Sequence, residues 1–350
     1  MQKEDIKKIL VIRFRQMGDA ILASAMCSSL KKSFPRAEVH IVLNERIAPI
    51  FLHHPHIDKV ISFSGEVNKN ILLYIKKVWS VVHNEHYDVI IDMRSTVRTL
   101  FFSLFSLSTP LRIGYRKGYT FLLNRKVSLP KEKMDVLEMN RKFVNLLSDI
   151  SPITDVRDFR LYVTEEEKMR YRKYMVECGV NFDHAVILIG VTTKILKKRW
   201  NLQFMKEIIG RIVTQYKCLQ VIFNYAPGQE EEVCRRVYNE LGCPKNVFID
   251  IRADSVRGLM ALCCNCSFYF GNEGGTRHLI QALGVPSYSI FSPGAAKYKW
   301  LPQNSIPSFG VDVSDILCDE QRQNMSEEKL FNSINPDFVW QQLSTHLESL

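Results

Sequence analysis

Two short clusters, about 250 residues apart, hold the side chains best suited to chemistry. In the first, VIRFRQMGD (residues 11–19), Asp19 follows Gly18, with Arg13 and Arg15 shortly before. A carboxylate facing a cleft beside cations can accept a proton from a hydroxyl. A carboxylate at a helix start is also suited to capping, and the two roles are compatible. In the second cluster, GNEGGTRH (residues 271–278), an apolar run breaks into glycines and opens a helix. The first N–H groups of a helix have no intrahelical partner and, with the aligned peptide dipoles, favour an anion such as phosphate. Gly271, Gly274 and Gly275 permit close approach, Asn272 and Glu273 can bond sugar hydroxyls or backbone, and Thr276 opens the helix with Arg277 and His278 adding donors in its first turn. A tight strand-to-helix turn needs glycine with or without a ligand, so this cluster alone reads either way.

Both clusters need rigid elements to place them. The N-terminal half alternates short apolar runs (residues 9–12, 39–43, 60–63, 89–92 and 111–113) with helical patterns, the first helix starting near Ala20. After the charged stretch EEEKMRYRKYM the alternation restarts, with runs at 185–190, 219–223, 247–249 and 268–271. Such alternation predicts parallel βαβ units and an α/β fold of two Rossmann-like, doubly wound parallel-sheet domains. Ligands of such sheets gather at the carboxyl ends of strands, so an interdomain cleft with Asp19 on one wall and residues 272–278 on the other is expected. The expected organisation is an acceptor-side domain at 1–164, a donor-binding domain at 165–335, and a helix at 336–350 packing back across them.

At 350 residues the chain exceeds what one core usually supports. No apolar run is long enough to span a bilayer, and MQKEDIKK leads into a strand without a signal-peptide pattern, so a cytoplasmic location is expected. Nine scattered cysteines suit buried thiols in a reducing compartment, and Cys263, Cys264 and Cys266 lack the paired spacing of a zinc site. A net charge of +10 implies an acidic partner. No stacking module or recognition helix points to nucleic acid, which leaves an anionic membrane face or a phosphorylated substrate.

The two clusters, in this order, resemble the ADP-heptose:lipopolysaccharide heptosyltransferase family, glycosyltransferase family nine, and the resemblance covers nearly the whole chain. VIRFRQMGD matches the family's opening strand and Gly-Asp turn, whose aspartate is the proposed base. YDVIIDMRS (residues 87–95) and Arg112-Ile113-Gly114-Tyr115 match two further segments. Thr192, Thr193, Lys198 and Trp200 match a group that holds the donor phosphates in the family. GNEGGTRH matches its Asp-Thr-Gly-x-x-His signature with Gly275 and His278 retained, while Glu273 and Gly274 replace the usual aspartate and threonine. Glu230, or Gln229, falls where the family contacts the nucleoside.

The resemblance implies a GT-B fold and inverting glycosyl transfer from a nucleotide-diphosphate sugar, ADP-heptose, to a lipopolysaccharide core or related glycan. It implies Asp19 as base and a donor site of Thr192, Thr193, Lys198, Glu230, Glu273, Gly274, Gly275, Thr276 and His278. On the acceptor side stand Arg13, Arg15, Gly18, Arg94 and Arg98, with solvent-facing charge an equal reading of the last two. No metal or cofactor is expected, since cationic groups would meet the leaving diphosphate. The implied partners are the nucleotide sugar and an anionic lipid-linked saccharide, with peripheral contact at the cytoplasmic face of the inner membrane. The apolar segment 98–108 reads either as a core helix or as part of that contact. Two rivals stay open: a GT-B transferase with another nucleotide sugar, and a non-catalytic sugar-nucleotide or glycan binder. An NAD-dependent enzyme is excluded because no G-x-G-x-x-G follows the first strand.

Overall fold

The computed structural model describes residues 1–14, 16–129 and 132–350. The chain divides into two compact units, Met1–Tyr162 and Val163–Leu350. The sequence-based boundary lies two residues away.

The first unit holds a six-stranded sheet in the order β3-β2-β1-β4-β5-β6. Its strands are β1 (Lys8–Ile12), β2 (Glu38–Asn44), β3 (Lys59–Phe63), β4 (Val89–Asp92), β5 (Leu111–Tyr115) and β6 (Arg125–Val127). All pairings are parallel, with Ile9 opposite both Val39 and Val89. The central strands read as unbroken β-branched runs because helices cover both faces, so Ile9–Ile12 and Val89–Ile91 are all buried. The helix Met17–Ser33 is likewise buried nearly throughout, and its small residues let it lie close to the sheet. It begins at Met17 rather than near Ala20, which puts Asp19 at the third helical position behind Gln16 as N-cap.

The second unit repeats the plan with β7 (Val186–Gly190), β8 (Gln220–Phe223), β9 (Val247–Phe248), β10 (Phe268–Asn272), β11 (Ser287–Ile290) and β12 (Ser308–Val311), again all parallel. Its order, β12-β11-β10-β7-β8-β9, is that of the first sheet. In both sheets the winding direction reverses beside the first strand, between β1 and β4 and between β7 and β10, where open sheets leave a crevice at the strand ends. The β7–β10 approach is close. A Cβ on Gly271, where φ is 151°, would sit 2.6–2.7 Å from Gly190 backbone atoms, so glycine is required for contact rather than for a ligand.

Three expectations change. The edge strands β6 and β12 do not stand out in the sequence, because RKV and SFGV are short and only partly apolar. Cys178, Cys218, Cys243 and Cys318 are exposed rather than buried. The C-terminal helix Pro336–Leu347, expected across the domains, buries Val339, Leu343 and Leu347 in the second unit's own core and packs on the helix Leu202–Gln215. Among the described residues no helix is long and apolar enough to cross a membrane.

Candidate functional sites at the two crevices

In the first unit Arg13 leaves the end of β1 and ties the crevice together. Its Nη2 donates to Asp19 Oδ1 at 2.7 Å, and its Nη1 donates to the Met93 carbonyl, just past β4, at 3.2 Å. Both side chains of this ion pair are over 90% buried. A pair this dry holds the carboxylate in one orientation, and the first turn of the helix adds a favourable dipole. Gly18, one residue before, is also buried.

Beyond β4 the chain turns on Asp92, whose Oδ1 accepts from the N–H groups of Arg94 and Ser95. Burial pushes this carboxyl's pKa up. Arg94 donates to the Phe14 carbonyl, which fixes the loop after β1 to the loop after β4. Arg98 lies over the Tyr74 ring, 4.3 Å from its centre, with Nε and Nη2 buried and without hydrogen-bond partners. It is packed rather than presented to solvent. Arg15 lies outside the described residues.

In the second unit the crevice centres on Glu273, directly after β10. Its Oε2 accepts from Lys198 Nζ at 2.9 Å and its Oε1 from Ser292 Oγ at 2.5 Å. The carboxylate is only 6% exposed while the lysine is 35% exposed, so the ammonium forms the solvent side of the pair. Lys198 ends a short 3₁₀ turn, Leu196–Lys198, two residues before Trp200, which Asn272 holds. Asn272 Nδ2 donates to the Gly190 and Val191 carbonyls, and its Oδ1 accepts the Trp200 N–H at 2.7 Å. Trp200, fully buried, passes its indole N–H to the Ile334 carbonyl.

Gly274 caps the helix Gly275–Ala282. Nothing stands within 4 Å of where its side chain would be, so the missing threonine leaves open space. Thr276 in the first turn accepts from Asn224, at the end of β8. His278 and Arg277 are both buried. Burial, then the Arg277 and Lys198 charges, holds the His278 pKa well below its ordinary value. Arg277 reaches inward to Gln281 and to the Trp300 carbonyl, and burial brings its pKa down to about 9. It therefore braces residues 300–304, together with Gln281, and does not supply a donor at the turn as the sequence suggests.

Thr192 is buried just beyond β7, and Thr193 Oγ1 accepts from Ile195 N–H at the start of the lysine loop. Glu230 accepts from Ala226 N–H and closes its own loop. Thus Lys198, Glu273, Gly274, Gly275, Thr276 and His278 gather at or near one turn, whereas Glu230 belongs to the neighbouring β8 loop. Sequence reasoning missed Ser292 and Asn224. Asn224 directly follows β8 and Ser292 lies two residues past β11, each a polar residue closing an apolar stretch, as VIFN and YSIFS show. Among the described residues one group has metal-ligand proximity, Glu38, His40 and Glu85, and its Glu85 already binds Lys8 and Lys59.

The family model described as glycosyltransferase family 9 (heptosyltransferase) matches residues 75–321. Lipopolysaccharide heptosyltransferase 1 of Campylobacter coli is 22% identical over 298 residues, spanning 81% of this chain and 83% of that protein. The crystal structure of a glycosyl transferase family 9 protein from Veillonella parvula superposes with a TM-score of 0.81 at 15% identity, covering 100% of this chain and 99% of its own. The E. coli heptosyltransferase WaaC with ADP-2-deoxy-2-fluoro heptose gives 0.70 at 15% identity, covering 97% and 99%.

Proposed function

The chain belongs to glycosyltransferase family 9, the heptosyltransferases, and on that premise we propose that it moves a heptose-like sugar from a nucleotide diphosphate, ADP-heptose, to a lipopolysaccharide-core acceptor. The observation that carries the donor side is the Lys198–Glu273 pair beside the Gly275 helix start. An ammonium on the solvent side of a buried carboxylate, next to unpartnered helical N–H groups, suits a diphosphate. The donor seats its phosphates there, with Thr192, Thr193, Thr276 and His278 as further donors and Glu230 toward the nucleoside.

In the proposed reaction the acceptor hydroxyl attacks the anomeric carbon from the face opposite the diphosphate. The new C–O bond forms as the sugar–phosphate bond breaks, and the configuration inverts. The hydroxyl proton passes to Asp19 and the bonding electron pair leaves with the diphosphate. Lys198 and the helix start stabilise that charge where it grows, without a metal. Arg13 keeps Asp19 oriented, while Arg94 and Arg98 belong to the acceptor side with Arg15 and Gly18. The donor is assigned to the second unit and the base to the first. The acceptor is an anionic lipid-linked saccharide reached from the cytoplasmic face of the membrane.

Titration of the whole chain with ADP, GDP and UDP, followed by a transfer assay with ADP-heptose, tests this reading. Preference for ADP and formation of a glycosylated acceptor are expected. Tighter binding of GDP or UDP would reassign the donor, an outcome given weight by the Glu273-Gly274 replacement. Binding of ADP with no transfer to any core saccharide would indicate a non-catalytic relative.

A further inference from the structure

We propose that the rim of the first sheet's carboxyl end, built from the start of the Ile71–Glu85 helix and the loop around Val97, rests on an anionic lipid bilayer. The proposal rests on the lipid-linked acceptor inferred above and assigns the surface that would meet its membrane.

The helix Ile71–Glu85 opens with three consecutive exposed apolar residues: Ile71 (49%), Leu72 (73%) and Leu73. They are surplus to folding, because the helix already buries Tyr74, Val78, Val81 and Val82 in the core. Val97, 68% exposed, belongs to the same surface. Tyr74, next to Leu73, donates its hydroxyl hydrogen to the Arg98 carbonyl and carries the Arg98 guanidinium on its ring. The loop after β5 adjoins it, since Lys117 Nζ and Tyr119 OH both donate to the Ser95 carbonyl. All three segments follow the carboxyl ends of parallel strands, the end at which Asp19 also sits. Within the segment 98–108, Leu100 and Phe102 are core while Leu104 and Leu107 are exposed, so only part of it is open to solvent.

The charge on these segments has one sign. Between Asp92 and Glu132 the chain carries no carboxylate side chain; Arg98 is packed on Tyr74 and Arg94 and Arg112 bind backbone carbonyls, which leaves Arg116 exposed and Lys117 beside it on the loop after β5. Between Glu66 and Glu85 it carries Lys69, Lys76 and Lys77 and again no carboxylate. Apolar side chains that can enter the acyl boundary, beside exposed Lys76 and Lys77 and with Glu66 the carboxylate nearest to Leu72 in the chain, match a surface of anionic headgroups. An aqueous anionic partner would use the cations but has no use for Leu72 and Val97.

Sedimentation of the full chain with phosphatidylglycerol/phosphatidylethanolamine vesicles and with phosphatidylcholine vesicles tests the assignment. The chain is expected to partition to the anionic vesicles and little to the zwitterionic ones. The double variants Leu72→Ser/Val97→Ser and Lys76→Glu/Lys77→Glu are each expected to weaken that partition by about tenfold. All four residues are exposed, so unchanged thermal unfolding shows that the fold survives. Failure of the unaltered chain to bind anionic vesicles, or equal binding by the variants, overturns the proposal. So does loss of self-association in the apolar variant without any vesicle binding, which would assign this face to a second copy. Transfer to a water-soluble, lipid-free saccharide separates the two readings. Vesicle binding without transfer refutes the enzymatic reading alone, and transfer without vesicle binding refutes the surface alone.

Discussion

Arg277 Nη2 lies against the imidazole of the neighbouring His278, so a fixed positive charge adds to burial in disfavouring the protonated ring. A neutral His278 can donate a hydrogen bond to a phosphate oxygen but does not serve as a cation.

Nitrogen-15 spectra of the His278 ring should show the neutral form at pH 7 and still at pH 5.5. Arg277→Met should bring the ring's titration closer to the ordinary histidine range. A His278 that titrates near 6.5 in the unaltered chain would defeat this assignment.

Asp19→Asn should lower transfer by about 10²–10⁴-fold, the usual size of a general-base contribution. ADP affinity, measured by calorimetry, should stay within about twofold, because Asp19 lies in the first unit's crevice. Full turnover in this variant would remove Asp19 from the mechanism.

Lys198→Ala removes a charge-assisted contact to the diphosphate and should weaken ADP binding by about 10–100-fold. Glu273→Gln keeps the hydrogen bond to Ser292 and frees the ammonium, so it should bind ADP at least as well as the unaltered chain. Equal loss in both variants would mean that the pair acts as a structural strut.

Stability should fall in mild acid. Burial lowers the His54 pKa to about 4, with His56 adding to the shift, and it holds His278 well below 6.5. Both groups stay neutral in the folded chain while the unfolded chain takes up protons as pH drops through 6.5. Their contribution is thus complete above pH 6.5 and drains away as pH falls toward 4, by about 3 kcal/mol for His54. Urea midpoints at pH 7 and pH 4.5 measure this, and His54→Asn should flatten the dependence. An unchanged midpoint across that range would contradict the burial of both rings.

Much of the architecture was legible because parallel strands buried on both faces write themselves as β-branched runs, as in Ile9–Ile12 and Val186–Ile189. Edge strands carry no such mark, and β6 with its Arg125 and Lys126 shows why. The site was legible where backbone geometry dictates residue type, at Gly271 and at the Gly274-Gly275 helix opening. Side-chain direction was not. Arg277 looks like a ligand group in sequence, yet it turns inward to brace a loop, and of the two roles open to Asn272 it takes the backbone one, clamping strand ends. The partners of Glu273 come from β11 and from the turn after β7, a convergence that only the strand order reveals.

Trp200 connects this chemistry to a distant part of the chain. Two residues from the donor lysine, it hangs by its backbone from Asn272 and by its indole from the carbonyl of Ile334. The tail is therefore wired to the lysine. Trimming the protein before residue 334 would also strip Val339, Leu343 and Leu347 from the second core, whereas straining that stretch with a fusion would slacken the lysine loop and register as poorer nucleotide retention.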